Sequence, residues 1–86
     1  MNVEEKIGTV THYYGKLGVA AIQLDDGELR PGDRIHVIGH TTDAEMTVGS
    51  IELEHHTIDR ARKGQNVGIK VDERVREHDE VYKAYI

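Results

Sequence analysis

The sequence contains no cysteine, no tryptophan and no phenylalanine, and one proline, Pro31, among 86 residues. Without cysteine there is no disulfide, no thiolate nucleophile and no cysteine-based zinc site. Without Trp or Phe the core must be aliphatic, and the only aromatic rings of size are four tyrosines. No apolar run approaches the roughly 18 residues of a membrane span. The opening Met1-Asn2-Val3-Glu4-Glu5-Lys6 is polar and acidic, unlike the apolar core of a signal peptide. The expectation is a cytoplasmic protein that does not meet a membrane. Bases are short as well: 11 Lys and Arg stand against 16 Asp and Glu, a net charge of −5. That argues against nucleic-acid binding through unspecific attraction to phosphates, which depends on Lys and Arg. It leaves a local basic patch open.

What is present leans towards sheet. Nine Val and eight Ile outnumber four Leu and five Ala. β-branched side chains lose rotamer freedom in a helix but pack well on a pleated surface. Nine Gly suit a chain of short strands and tight turns. The length is that of one small domain, 1–86, with a core spanning about residues 6–85.

Period-two patterning predicts strands over Lys6–Tyr14, Val19–Leu24, Arg34–Ile38, Glu45–Glu54, Asn66–Val71 and Glu80–Tyr85. Turn signals separate them: Gly15-Lys16-Leu17-Gly18, Asp25-Asp26-Gly27, Pro31-Gly32 and Lys63-Gly64-Gln65. Within Glu45–Glu54, Met46 and Val48 share one face while Ile51 and Leu53 fall on the other, so a β-bulge is expected near Gly49-Ser50. His55–Lys63 is ambiguous. Ile58 and Ala61 have helical spacing, but the stretch is too short to hold a helix alone. Six or seven short strands of this kind make a barrel or a two-layer sandwich.

Three phrases together resemble the second domain of translational GTPases such as elongation factor Tu. They are Ile7-Gly8-Thr9-Val10 with Gly18-Val19-Ala20, then Leu29-Arg30-Pro31-Gly32-Asp33-Arg34-Ile35, then Val48-Gly49-Ser50-Ile51-Glu52-Leu53 leading to Ala61-Arg62-Lys63-Gly64-Gln65-Asn66-Val67-Gly68. The ending from Val75 to Tyr82 looks like that domain's last strand. A similar barrel occurs at the C-terminus of collagenase-like peptidases linked to RNA modification. The resemblance implies an all-β fold, a closed six- to seven-stranded Greek-key β-barrel. It also implies a stand-alone form of a domain that elsewhere follows a GTPase. No P-loop is present: Gly15-Lys16 is followed by Leu17 rather than Ser or Thr. No nucleotide, cofactor or GTP hydrolysis is therefore expected. In elongation factor Tu this barrel helps hold the aminoacyl end of tRNA. Asn66 matches the pocket Asn of the family's Gly-x-Asn-Val-Gly phrase, and Glu52 matches a pocket Glu. Glu54 stands where some members carry an aromatic or His.

Candidate binding residues are accordingly Glu52 and Asn66, the basic cluster Arg60, Arg62 and Lys63, and the pair Tyr13 and Tyr14, which could stack on bases. Against each stands a plainer reading. Asn66 could stabilise a turn, the basic cluster could be a solvated face, and one Tyr could pack while the other covers its rim. Arg30 and Arg34 are expected to approach the basic cluster across the barrel. Six histidines invite a metal reading, but His55 and His56 would point to opposite faces of a strand, and His36 and His40 lack a third ligand. No metal site and no catalytic residue is expected. Glu52 and Glu54 share a face, yet nothing supplies a nucleophile beside them. The function expected is a non-catalytic binding module associated with translation or RNA, with tRNA or ribosomal RNA as ligand. The alternative is a protein–protein adaptor, monomeric or homodimeric, serving a separate enzyme such as a collagenase-like peptidase that lacks this domain.

Overall fold

In a computed structural model, residues 3–85 are described. They form ten strands: β1 (Val3–Tyr14), β2 (Val19–Leu24), β3 (Glu28–Leu29), β4 (Arg34–Ile38), β5 (Asp43–Thr47), β6 (Ile51–Leu53), β7 (His56–Ile58), β8 (Ala61–Arg62), β9 (Asn66–Lys70) and β10 (Glu80–Tyr85). Eight make one antiparallel sheet in the order β5-β4-β10-β1-β2-β9-β6-β7, and β3 pairs with β8 as a separate ribbon. No helix among the described residues is long and apolar enough to cross a membrane. The all-β expectation holds. The strands outnumber the six or seven expected because several are only two or three residues long, below the reach of a periodicity argument.

Most strands send residues into one core. Ala20, Ile22 and Leu24 come from β2, Ile35 and Val37 from β4, Val67 and Ile69 from β9, and Val81 from β10. Loop residues Val48, Val71 and Val75 join them. Fully burying a Val or Ile contributes roughly 1.5–3 kcal/mol, so this aliphatic core is the main source of stability. β1 is long because it serves two neighbours, β10 and β2, and its register slips at Lys6/Gly8 and at Val10/His12. The first slip leaves Ile7 as the extra residue, so Ile7 and Val10 are both buried although three positions separate them. Gly8 sits against β2 so closely that a Cβ there would overlap the Gln23 carbonyl oxygen.

One expectation needs correction, and one ambiguity resolves. The stretch Glu45–Glu54 is not one bulged strand. It breaks at Val48-Gly49-Ser50, and the chain passes from β5 at one end of the sheet to β6 near the other. The parity fault in the sequence marks that change of partner: Ala44 and Met46 face the core beside β4, Ile51 faces it beside β9. His55–Lys63 is not helical. β6 and β7 form a hairpin with Leu53 opposite His56, and its two loop residues, Glu54 (φ 50°) and His55 (φ 68°), both have positive φ. Positive φ at both positions defines a type I′ turn, whose twist matches a hairpin.

Three strands are launched by one repeated turn. In Arg30–Asp33, the Asp33 N–H donates to the Arg30 carbonyl (3.1 Å), and the Arg30 N–H donates to Asp33 Oδ2 (2.8 Å). Arg62–Gln65 has the same pair of bonds at 3.1 and 2.8 Å, with Gln65 Oε1 as the acceptor. Arg76–Asp79 repeats them at 3.1 and 2.8 Å with Asp79 Oδ2. The third residue has positive φ in each: Gly32 (95°), Gly64 (93°) and His78 (77°), the mark of a type II turn. Each turn ends where β4, β9 or β10 begins.

Candidate functional site

The outer face of the sheet has a trough. Antiparallel register sets Ala21 of β2 opposite Gly68 of β9, and Gly68 opposite Glu52 of β6. Ala and Gly are the smallest side chains, so that row leaves a floor. The β1–β2 hairpin raises one wall with Tyr14, Leu17 and Val19; the β6–β7 hairpin raises the other with Glu52, Glu54 and His55. Asn66 closes one end of this groove, about 390 Å³ in volume. Its Nδ2 donates to Thr11 Oγ1 (3.1 Å) and lies 3.4 Å from Gln23 Oε1, so it links three strands through their side chains rather than bracing a turn. Leu17 is 66% exposed and Tyr14 47%, the two largest apolar surfaces beside the groove. Tyr14 is steadied by the His12 ring, edge-on at 4.4 Å. Tyr13, its neighbour, packs against the core instead.

The basic residues lie elsewhere. Arg30, Arg60 and Arg62 line a recess of about 330 Å³ with Asp59. Arg30 joins as expected; Arg34 does not, because it lies on β4 and its Nη1 donates to Thr47 Oγ1 (3.3 Å). Lys63 is exposed in the turn between β8 and β9 and lines neither cavity. The sequence's seven candidates therefore fall into separate places: Glu52, Asn66 and Tyr14 on the groove, Arg60 and Arg62 on the recess, Tyr13 against the core and Lys63 on a turn.

A further cluster escaped the sequence reading because its members come from three strands. His36 on β4 meets Glu4 of β1 through Nδ1 (2.9 Å) and Asp43 of β5 through Nε2. Glu45 stands close by: ligand-type atoms of Glu4, His36 and Glu45 all lie within 4.8 Å of one another, the one grouping among the described residues dense enough for a metal ion. The bond to Asp43, then that to Glu4, raises the His36 pKa above its ordinary value, against the opposing pull of burial. A protonated imidazole shared by two carboxylates accounts for this geometry without a metal. His55 and His56 straddle the end of a turn rather than lying within one strand. On the sheet surface Lys6 and Glu80 pair at 3.0 Å, which raises the lysine pKa and lowers the glutamate's, chiefly through their hydrogen bond.

The profile of elongation factor Tu domain 2 matches residues 18–81. Over 78 residues, 90% of this chain, the sequence is 42% identical to an uncharacterised protease of Methanocaldococcus jannaschii, covering 19% of that protein. It is 38% identical over the same length to a collagenase of Porphyromonas gingivalis, covering 22%. The chain thus spans about a fifth of the length of these curated relatives. Among solved structures, the C-terminal domain of a Geobacillus thermoleovorans protein assigned to the U32 peptidases superposes with a TM-score of 0.85 at 27% identity, covering 92% of this chain and 91% of that one. Its selenomethionine variant gives 0.83 at 26%, covering 90% and 96%.

Proposed function

The chain belongs to the elongation factor Tu domain 2 family, and from that premise we propose that it is a cytoplasmic binding module, without chemistry of its own, whose groove takes an unpaired RNA end. One observation carries the reading. Glu52 and Asn66, which the sequence resemblance pairs with the tRNA pocket of elongation factor Tu, stand on a single groove with an exposed Tyr14. An aromatic face and fixed polar groups suit an unstacked base. The groove's acids face open solvent rather than a water-excluding cavity, which suits contact better than catalysis. The family's closed barrel belongs to the same proposal. Every strand pair feeds one core, and the bonds Val48 N–H to Asp33 O and Gly32 N–H to Val48 O, both 2.8 Å, tie the chain after β5 back to the turn before β4.

Fluorescence anisotropy with tRNA, ribosomal RNA and a short single-stranded acceptor-end oligonucleotide at low salt tests this. Binding is expected, and Tyr14→Ala should weaken it by about tenfold or more, since stacking on one side chain is worth roughly 1–3 kcal/mol. Absence of binding to all three RNAs at low salt overturns it. A second reading is favoured by the relatives, in which this stretch is about a fifth of a protease or collagenase. The module would then be an adaptor, monomeric or homodimeric, that docks on a separate collagenase-like peptidase. Recovery of such a peptidase in a pull-down, with no RNA affinity, would select it.

A further inference from the structure

The ribbon β3/β8 carries its residues in an arrangement that the rest of the chain does not relieve. Strand alternation turns Leu29 and Ala61 inward, where both are fully buried, and turns Glu28 and Arg62, opposite each other, outward. Arg30 and Arg60 flank the ribbon just beyond its two strands and line the same recess as Arg62. Glu28 is shared between two of the arginines, at 3.2 Å from Arg30 and 3.9 Å from Arg60. Among the described residues the Arg62 guanidinium has no ion pair. In a chain with 16 acids and 11 bases, three of the four residues lining this recess are arginines. Arginine forks match phosphate oxygens two at a time, which lysine cannot do.

We propose that the recess formed by Arg30, Arg60 and Arg62 is a binding site for a phosphate group. Arg62 contributes the free fork, while Arg30 and Arg60 turn from Glu28 to the ligand. Glu28 is the internal competitor: in the empty site it holds the two guanidiniums that the phosphate would use. The residues are separate from those of the groove, so the recess can bind phosphate whether or not the groove binds RNA.

The test is a titration followed by amide and arginine side-chain NMR shifts. One arm uses inorganic phosphate, a second a 5′-phosphorylated trinucleotide, a third the same trinucleotide with a 5′-hydroxyl. Saturable shifts at Arg30, Arg60 and Arg62 are expected. Shifts with inorganic phosphate identify a free phosphate; shifts with the phosphorylated trinucleotide alone identify a phosphate monoester on a nucleic-acid end. Arg62→Gln should weaken binding by about tenfold with unchanged thermal stability, the loss of one charge-assisted contact. Glu28→Gln should tighten it severalfold, whereas Glu52→Gln, the same charge change at the groove, should not. No saturable shift in any arm overturns the proposal. So does a response that survives Arg62→Gln, or one that Glu28→Gln and Glu52→Gln enhance alike.

Discussion

Two kinds of turn stand side by side in this fold, and they differ in how well residue type suits geometry. The launching turns at Arg30–Asp33 and Arg62–Gln65 place glycine where φ is positive and close with a reciprocal pair of bonds. Their backbone groups are satisfied locally, and the residues are the ones such a turn favours. The β6–β7 loop makes a type I′ turn from Glu54 and His55, where Asn and Gly are preferred. Left-handed backbone costs an ordinary residue roughly 1–2 kcal/mol. The well-matched turns underlie the strands; the mismatched one forms a wall of the groove. Backbone strain of this sort gathers at functional sites, where the side chain is wanted for more than the turn. The Arg76–Asp79 turn lies between the two, with the launching bonds intact but His78 in the glycine position.

The comparison breaks most visibly at Asp79. It is 4% exposed and its carboxylate accepts the Arg76 N–H, so Asp79→Ala should lower stability by about 2 kcal/mol in urea unfolding by leaving that donor unmet. Gly39 leans on the same carboxylate so closely that a Cβ there would overlap it. Gly39→Ala alone should therefore destabilise by a comparable amount, and the double variant should lose clearly less than the sum. An additive result would mean that the two positions do not touch.

The mismatched loop sharpens the contrast. Glu54→Asn with His55→Gly should raise stability by about 1–2 kcal/mol while weakening RNA binding at the groove. A gain in stability with binding intact would separate the strain from the site. His78→Gly, a single left-handed position away from the groove, should give a smaller gain, below about 1 kcal/mol, with RNA affinity untouched.

The smallest effect belongs to His36, outside both kinds of turn. Its folded-state pKa lies above the unfolded value of 6.5, through Asp43 and then Glu4. Its stabilisation is thus fully present below about pH 6.5 and fades as pH rises through the folded pKa. Melting temperature followed from pH 5.5 to 8.5 should fall in that window for the native chain, and His36→Gln should flatten the fall.

Much of this was legible in the residues. The alternating pattern over Asn66–Val71 predicts a strand, and its alternate residues Val67 and Ile69 are buried on β9, with Val71 buried just past its end. Gly68, between Val67 and Ile69 on the opposite face, lies in the groove floor. The Pro31-Gly32 and Lys63-Gly64 turns were visible as turns, but not as one repeated bonding unit. That unit depends on where the Asp33, Gln65 and Asp79 side chains point. The fault between Val48 and Ile51 was seen and misread, because a bulge and a change of partner leave the same mark on an alternating pattern. The β6–β7 hairpin was hidden because its loop carries none of the residues that announce one. The arginine recess was half visible. Arg60 and Arg62 are close in sequence, whereas Arg30 comes from the turn that follows a strand of two residues, itself paired only with β8. The His36 cluster draws on residues 4, 36, 43 and 45, and only the sheet order brings them together.

The sheet order also sets a schedule. β10 lies between β4 and β1, so β5-β4 and β1-β2-β9-β6-β7 are two patches whose ladders meet only through it. On a ribosome Glu80–Tyr85 emerge after the other nine strands, so both patches wait with an unpaired edge towards a strand not yet made. Long-range pairing of this kind folds slowly and leaves edges open to wrong partners. The Arg76–Asp79 turn, already bonded within itself and to Val10 of β1 through the His78 N–H at 2.8 Å, holds the start of β10 at the gap it must fill.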